Sequence, residues 1–416
     1  MSMAAELPES GLFPVAIVPR INVGVFCEDP RTAQAMQAAV ADRRMARAHV
    51  EIHEGGILGA AARYAHESTP NLVMVESRGN MMEIMGQLAE LAEVCGSGTK
   101  VVVIGHVNDI VLYRELMKNH VSDYLVAPLT SLRIIESIAA LYNDPKAAPL
   151  GRVLAFVGSK GGVGSSTIAH NVAYATSNRF DLETILTDLD LSFGTAALNY
   201  NQEGGGSFHE ALTAPDRVDS ILLERLMSKL GKKLNLLNGS GALDRDVNIE
   251  SHAVETVLNT LRQAAPVIVL DVPNAWSPWV KQTLLSADEI VVTATPELPS
   301  LRNTKNIFDL LKPARPNDRQ PMLVLNQVGM PKRPEIPPAE FAKALNIEPV
   351  ISIPHDPQTF GQAQGNGQMI FEVAPKSKSA ELLGSLSEKL VGSPKVAAKA
   401  ASKSAIAGLL AKLNKK

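Results

Sequence analysis

One ten-residue stretch limits what this chain can become: GSKGGVGSST, running from Gly158 to Thr167. It follows the apolar, β-branched run RVLAFVG and precedes a helix-like segment from about residue 165. A glycine-rich turn between a buried strand and a helix is the setting in which backbone N–H groups converge on a phosphate. Gly161, Gly162 and Gly164 carry no Cβ, so successive amides from Gly161 through Val163 to Ser165 can wrap phosphate oxygens. Ser166 is positioned to offer its hydroxyl to Mg2+, with Thr167 beside it. A merely flexible Gly/Ser turn is the competing reading, and the strand and helix flanks argue against it.

Short apolar runs alternating with helix-length segments occupy both halves of the chain. In the first half, residues 21–27, about 49–53, 71–77, 100–106 and 121–127 read as buried parallel strands, with helical spacing over 32–48, 81–95, 110–119 and 131–142. In the second, strand candidates fall at 152–159, 183–190, 233–239, 265–273, 289–296, 321–328 and 348–356. The expected fold is therefore α/β, with two doubly wound parallel-sheet domains. The boundaries follow from composition: an N-terminal extension over 1–20, a first domain over 21–142, a Pro/Ala/Gly-rich linker over 143–151, a second domain over 152–390 and a basic Ala/Ser/Lys tail over 391–416.

With 416 residues, 45% of them apolar, the chain has enough material for two cores. The formal net charge of −3 offers no general basic surface for DNA, so no specific nucleic-acid partner is expected. Cys27 and Cys95 lack C-x-x-C or Cys/His metal spacing and read as reduced core residues. The first twenty residues have acids where a signal peptide needs a basic start, and no apolar run reaches membrane-spanning length, so a cytoplasmic protein is expected.

The second half resembles the ParA/MinD family of P-loop (SIMIBI) ATPases, whose deviant loop reads K-G-G-x-G-K-[ST]. Lys160 matches the signature lysine that crosses to a partner's phosphates in that family's nucleotide-bound dimer, while Ser165 stands where the second lysine belongs. The resemblance implies ATP and Mg2+ as ligands. It matches Asp188 and Asp190 in TDLDLSFG to the switch I region, Asp190 being the water-facing carboxylate and, with Lys160, a catalytic candidate. Asp271 in VIVLDVP matches the Walker B carboxylate that serves the metal together with Ser166. Asn326 in VLNQV, and Pro354 and Asp356 in IPHD, match the adenine side. A lysine fewer removes a charge-assisted contact to the β- and γ-phosphates, so weakened binding, catalysis or both are expected.

The first half resembles a flavodoxin-like response-regulator receiver. Glu28 and Asp29 follow its first strand as the acidic pair, and DYLVAPL resembles the closing D-Y-L-x-K-P. Glu76 occupies the place of the phospho-accepting Asp, Ala127 that of the Lys, and the usual Ser/Thr near Ile104 and Gly105 is missing. The expectation is a pseudo-receiver that docks or dimerises without being phosphorylated.

A receiver-like domain joined to GGVGSSTIAHNVA and TDLDLSFGTAALN resembles the CpaE/TadZ family of Flp/Tad pilus assembly proteins, over about residues 20–390. That resemblance implies a homodimeric, ATP-binding localisation and assembly factor with slow or absent hydrolysis. It also implies polar localisation and recruitment of type II-like secretion components, including a hexameric secretion ATPase. Two readings compete with it, an active ParA/MinD-type partition or positioning ATPase and a phosphorylation-driven output protein; Ser165 weighs against the first, Glu76 and Ala127 against the second. In the tail, Ile406, Leu409, Leu410 and Leu413 form an apolar helical stripe among lysines. It fits a peripheral contact with the inner face of the membrane as well as it fits a solvated tail.

Overall fold

The computed structural model describes residues 17–96, 98–142, 150–202, 207–239 and 249–392. The tail stripe at 406–413 lies outside the described residues, as does most of the expected 143–151 linker. The chain divides into two compact units, Met1–Ala147 and Ala148–Lys416.

In the first unit, β1 (Asn22–Cys27), β2 (His49–Glu54), β3 (Leu72–Glu76), β4 (Lys100–Gly105) and β5 (Asp123–Val126) form a parallel sheet in the order β2-β1-β3-β4-β5. Its central strands are apolar on both faces because helices cover both. Val23, Val25, Met74, Val102 and Ile104 pack against Met36, Ile134 and Ile138 on one side. Phe26, Val73, Val75 and Val103 pack against Ile57, Ile84 and Leu116 on the other.

Two local expectations need correction in this unit. The helix expected over 32–48 is Pro30–Val40 followed by a separate 3-10 turn at Arg43–Met45, because the Asp42 carboxylate accepts from the Arg44 N–H at 2.9 Å and starts a new turn. A helix at Gly56–Tyr64, absent from the sequence reading, opens at Gly55 (φ +106°) with no side-chain cap. Cys27 and Cys95 are both free, and burial above all pushes the Cys27 thiol up to about 12.

The second unit contains β6 (Arg152–Gly158), β7 (Thr184–Asp188), β8 (Ser228–Lys229), β9 (Leu234–Leu237), β10 (Val267–Val272), β11 (Glu289–Ala294), β12 (Met322–Val328) and β13 (Ile351–Pro354). They form one sheet in the order β13-β12-β11-β6-β10-β7-β9-β8, parallel except for the antiparallel β8–β9 return. The two-residue β8 was not expected. The helix Ser165–Asn178 packs on one face with Leu383 and Leu386. Val254, Leu261, Leu284 and Phe308 cover the other. No helix among the described residues is long and apolar enough to cross a membrane.

Candidate nucleotide and metal site

Because β6 lies between β10 and β11, its carboxyl end opens where neighbouring loops converge, the usual ligand position in an open parallel sheet. The first carbonyls of the glycine-rich loop are tied down: Asn274 Nδ2 donates to the Gly158 carbonyl at 2.6 Å and Asn303 Nδ2 to that of Ser159 at 2.9 Å. Gly162 and Gly164 sit at φ +80° and +89°, the left-handed region in which a side chain is strained. A Cβ on Gly164 would also come within 2.5 Å of Asn326 Nδ2. From the end of β12, Asn326 Nδ2 donates to the Val163 carbonyl at 2.8 Å, and Gln327 Nε2 to that of Gly162 at 3.0 Å. The helix Ser165–Asn178 then begins at Gly164 with no side-chain cap on its first turn. Ser165 Oγ is buried and has no hydrogen-bond partner among the described residues.

The glycine-rich loop and the segments after β12 and β13 share a cavity of about 360 Å³. Gly162, Gly164, Thr167, Asn326, Pro354 and Asp356 all line it, together with Gln327 and Phe360. Asp356 also caps the following helix, its Oδ1 accepting from the Thr359 N–H at 3.0 Å.

At the start of the following helix, Ser166 Oγ donates to Asp271 Oδ1 at 3.1 Å. Asp271 pairs in register with Asp188 on β7, and ligand atoms of His170, Asp188 and Asp271 lie within 4.8 Å of one another. Asp188 is fully buried; burial first, then the Asp271 charge, pushes its carboxyl up to about 6. Its oxygens accept from the N–H groups of Asp190 (3.0 Å) and Ala196 (3.1 Å). A hydroxyl beside two carboxylates is the hard oxygen set that Mg2+ takes together with substrate phosphates, so these residues fit that ion. Asp190 is engaged elsewhere: its Oδ1 accepts from the N–H groups of Ser192 (3.3 Å) and Phe193 (2.9 Å), closing a turn. Lys160 Nζ pairs with Glu297 Oε1 at 2.9 Å, and this bond is the first cause holding the Glu297 carboxyl below its ordinary range.

Glu297, His170, Gln327 and the two loop-tethering asparagines escaped the sequence reading. His170 had a signal, since it lies four residues after Ser166 and so on the same helix face.

In the first unit, Glu76 is fully buried. Its Oε2 accepts from the N–H groups of Glu28 (2.7 Å) and Asp29 (2.9 Å), its Oε1 from Thr32 Oγ1 (2.7 Å), and His106 Nε2 lies 2.9 Å from the same Oε1. Asp29 is in turn engaged by Arg31 and Arg78, which hold its carboxyl well below the usual range. The acidic corner of this unit is thus internally paired.

No family model matches the chain. A ParA family ATPase from Chlorobium tepidum TLS is 26% identical, over 57% of this chain and 98% of its own, with a TM-score of 0.52. The septum site-determining protein MinD from Pyrococcus horikoshii OT3, solved with Mg-ADP, is 21% identical over 58% of this chain and 97% of its own, also with a TM-score of 0.52; that likeness shows the fold. Fold and site together define a P-loop ATPase-type domain of the ParA/MinD class, preceded by a receiver-like domain. A pilus assembly protein CpaE from Caulobacter crescentus CB15 is 46% identical over 98% of that chain, which spans 31% of this one in its N-terminal part, with a TM-score of 0.31. The chain belongs to the CpaE/TadZ family of pilus assembly proteins.

Proposed function

We propose that this chain is an ATP- and Mg2+-dependent localisation and assembly factor for Flp/Tad-type pilus biogenesis, working as a nucleotide-gated dimer with slow or absent hydrolysis. The observation that carries the reading is the Ser166–Asp271 contact at one end of the glycine-rich loop, with the 360 Å³ cavity at the other. In this reading the N–H groups from Gly161 to Ser165 hold the phosphates, and Ser166 and Asp271 hold the metal. Thr167, Asn326, Pro354 and Asp356 enclose the base side. The metal supplies charge neutralisation at the phosphates. Lys160 and Asp190 act on the reacting end once each leaves its present partners, Asp190 the N–H groups of Ser192 and Phe193 and Lys160 the Glu297 carboxylate, after which Lys160 reaches the partner's nucleotide. Ser165 provides a hydroxyl in place of a fixed cation, which favours holding ATP over splitting it.

The dimer recruits type II-like secretion components, including a hexameric secretion ATPase, at the cytoplasmic face of the membrane at a pole or pilus site. The first unit serves as a docking element rather than a phospho-switch, a reading supported by the paired state of Glu76. Two measurements test this. Calorimetry with ATP and Mg2+ reports binding, and a fluorescent fusion reports location. Foci at a pole or pilus base agree with the proposal, whereas a nucleoid-wide pattern supports a partition-type ATPase instead.

A further inference from the structure

His170 is fully buried on the helix that the glycine-rich loop launches, and both ring nitrogens are engaged. Nε2 lies 3.2 Å from Asp271 Oδ2, and Nδ1 lies 3.0 Å from Asn199 Nδ2. An amide NH2 can only donate, so Nδ1 accepts, the ring proton sits on Nε2, and that N–H donates to Asp271. The other Asp271 oxygen already receives the Ser166 hydroxyl. One bond at each oxygen fixes the plane of the carboxylate.

The partner on the far side of the ring belongs to the segment that follows β7. Asn199 ends the short helix Ala196–Asn199, whose first N–H is held by Asp188 Oδ2 at 3.1 Å. The next residue, Tyr200, donates its hydroxyl to the His170 carbonyl at 2.7 Å. Residues 188–200 therefore fold back onto their own Asp188 carboxylate, which lies beside Asp271, at one end and onto His170 at the other. Between them the segment presents Phe193 and Leu198, 71% and 72% exposed.

We infer that His170 is a positioning residue: through the chain Asn199–His170–Asp271 it orients the metal-side carboxylate and ties the conformation of residues 188–200 to what that carboxylate binds. This rests on the reading of Ser166 and Asp271 as the metal side. A hydrogen-bond donor behind a metal-binding carboxylate commonly changes metal affinity by about 10- to 100-fold. The coupling runs both ways, since a contact that differs between metal-bound and metal-free states must shift both the segment and the affinity. Removing the donor therefore loosens the segment as well as the ion.

The test uses the full chain with ATP and Mn2+, the free ion being read by electron paramagnetic resonance and residues 188–200 by amide hydrogen exchange. His170→Leu keeps the bulk and removes both bonds. His170→Gln restores a donor and an acceptor on one flat group. Asn199→Ala removes only the outer bond and leaves the core filled. We expect His170→Leu to weaken Mn2+ by about tenfold or more and to speed exchange over 188–200. Asn199→Ala should do the same to a smaller degree, and His170→Gln should recover most of the loss. ATP binding in EDTA should be the same in all four proteins. Wild-type Mn2+ affinity in both Asn199→Ala and His170→Leu overturns the inference, and so does a Gln variant as defective as Leu. If His170→Leu fails to fold, Asn199→Ala and the Gln variant decide the matter alone. A wild-type chain that binds ATP with no Mn2+ dependence overturns the metal-side reading itself, a result distinct from wild-type-like variants.

Discussion

Lys160 and Glu297 form an ion pair within a single chain, Nζ to Oε1 at 2.9 Å, and Glu297 is further held by the Thr295 hydroxyl at the same distance. A lysine that serves a partner's nucleotide has to leave this pair first. The pair is partly exposed, so releasing it costs no more than about 1 kcal/mol. Glu297→Gln is therefore expected to raise ATP-promoted self-association by up to about fivefold, measured by sedimentation across a concentration series. Unchanged or weakened association would show that the pair is not a restraint.

Restoring the missing cation tests the other half of the loop. Ser165 is the first residue of its helix and its hydroxyl has no partner among the described residues. Ser165→Lys should tighten ATP by about tenfold, the worth of one charge-assisted hydrogen bond, and raise phosphate release measurably. Loss of ATP binding on that substitution would mean the loop has no room for the side chain.

Asp188 gives a pH signature. Its carboxyl is raised from 3.8 to about 6 in the folded chain, so the folded state holds a proton that the unfolded state releases between those values. The stability this lends is fully present below about pH 4 and is lost as pH rises through 6, where a buried charge must form. In metal-free protein Asp188→Asn gives up one of the two accepted N–H bonds at every pH but removes the buried charge, so its melting temperature relative to wild type should be highest at pH 8 and should fall as pH drops below 6. A difference independent of pH would contradict the assignment.

Glu76 offers a stability test and a chemical one. Its buried carboxylate satisfies two backbone N–H groups and a hydroxyl, so Glu76→Ala leaves several buried donors unpaired and should destabilise the first unit by about 3 kcal/mol or more in denaturant titration. Acetyl phosphate should add no mass to residues 21–142. An added phosphate in intact-mass analysis would return this unit to the signalling receivers.

Much of the architecture was legible because the buried strands are written as continuous apolar runs and the phosphate loop as three glycines between a strand and a helix. The two-residue β8 was not, since so short a run carries no period, nor was the helix at Gly56–Tyr64, which has glycines and no capping side chain where a start signal would be. The same limit applies within the site. Gly162 and Gly164 announce themselves by local pattern, Asn326 and Asp356 only through the family resemblance, and the fold brings all four to one cavity. The pairs Lys160–Glu297 and His170–Asp271 depend on which strands lie next to β6, a fact of topology that no local pattern carries.

The central claim is that nucleotide bound at this loop is read out as a dimer through Lys160. Analytical ultracentrifugation of the full chain with and without Mg-ATP, run in parallel on wild type and Lys160→Ala, addresses it most directly. The account predicts a shift from monomer to dimer with Mg-ATP in the wild type and a monomer under all conditions in the variant, with ATP still bound to both. A Lys160→Ala chain that dimerises with the same dependence on Mg-ATP would contradict it and assign self-association to another surface.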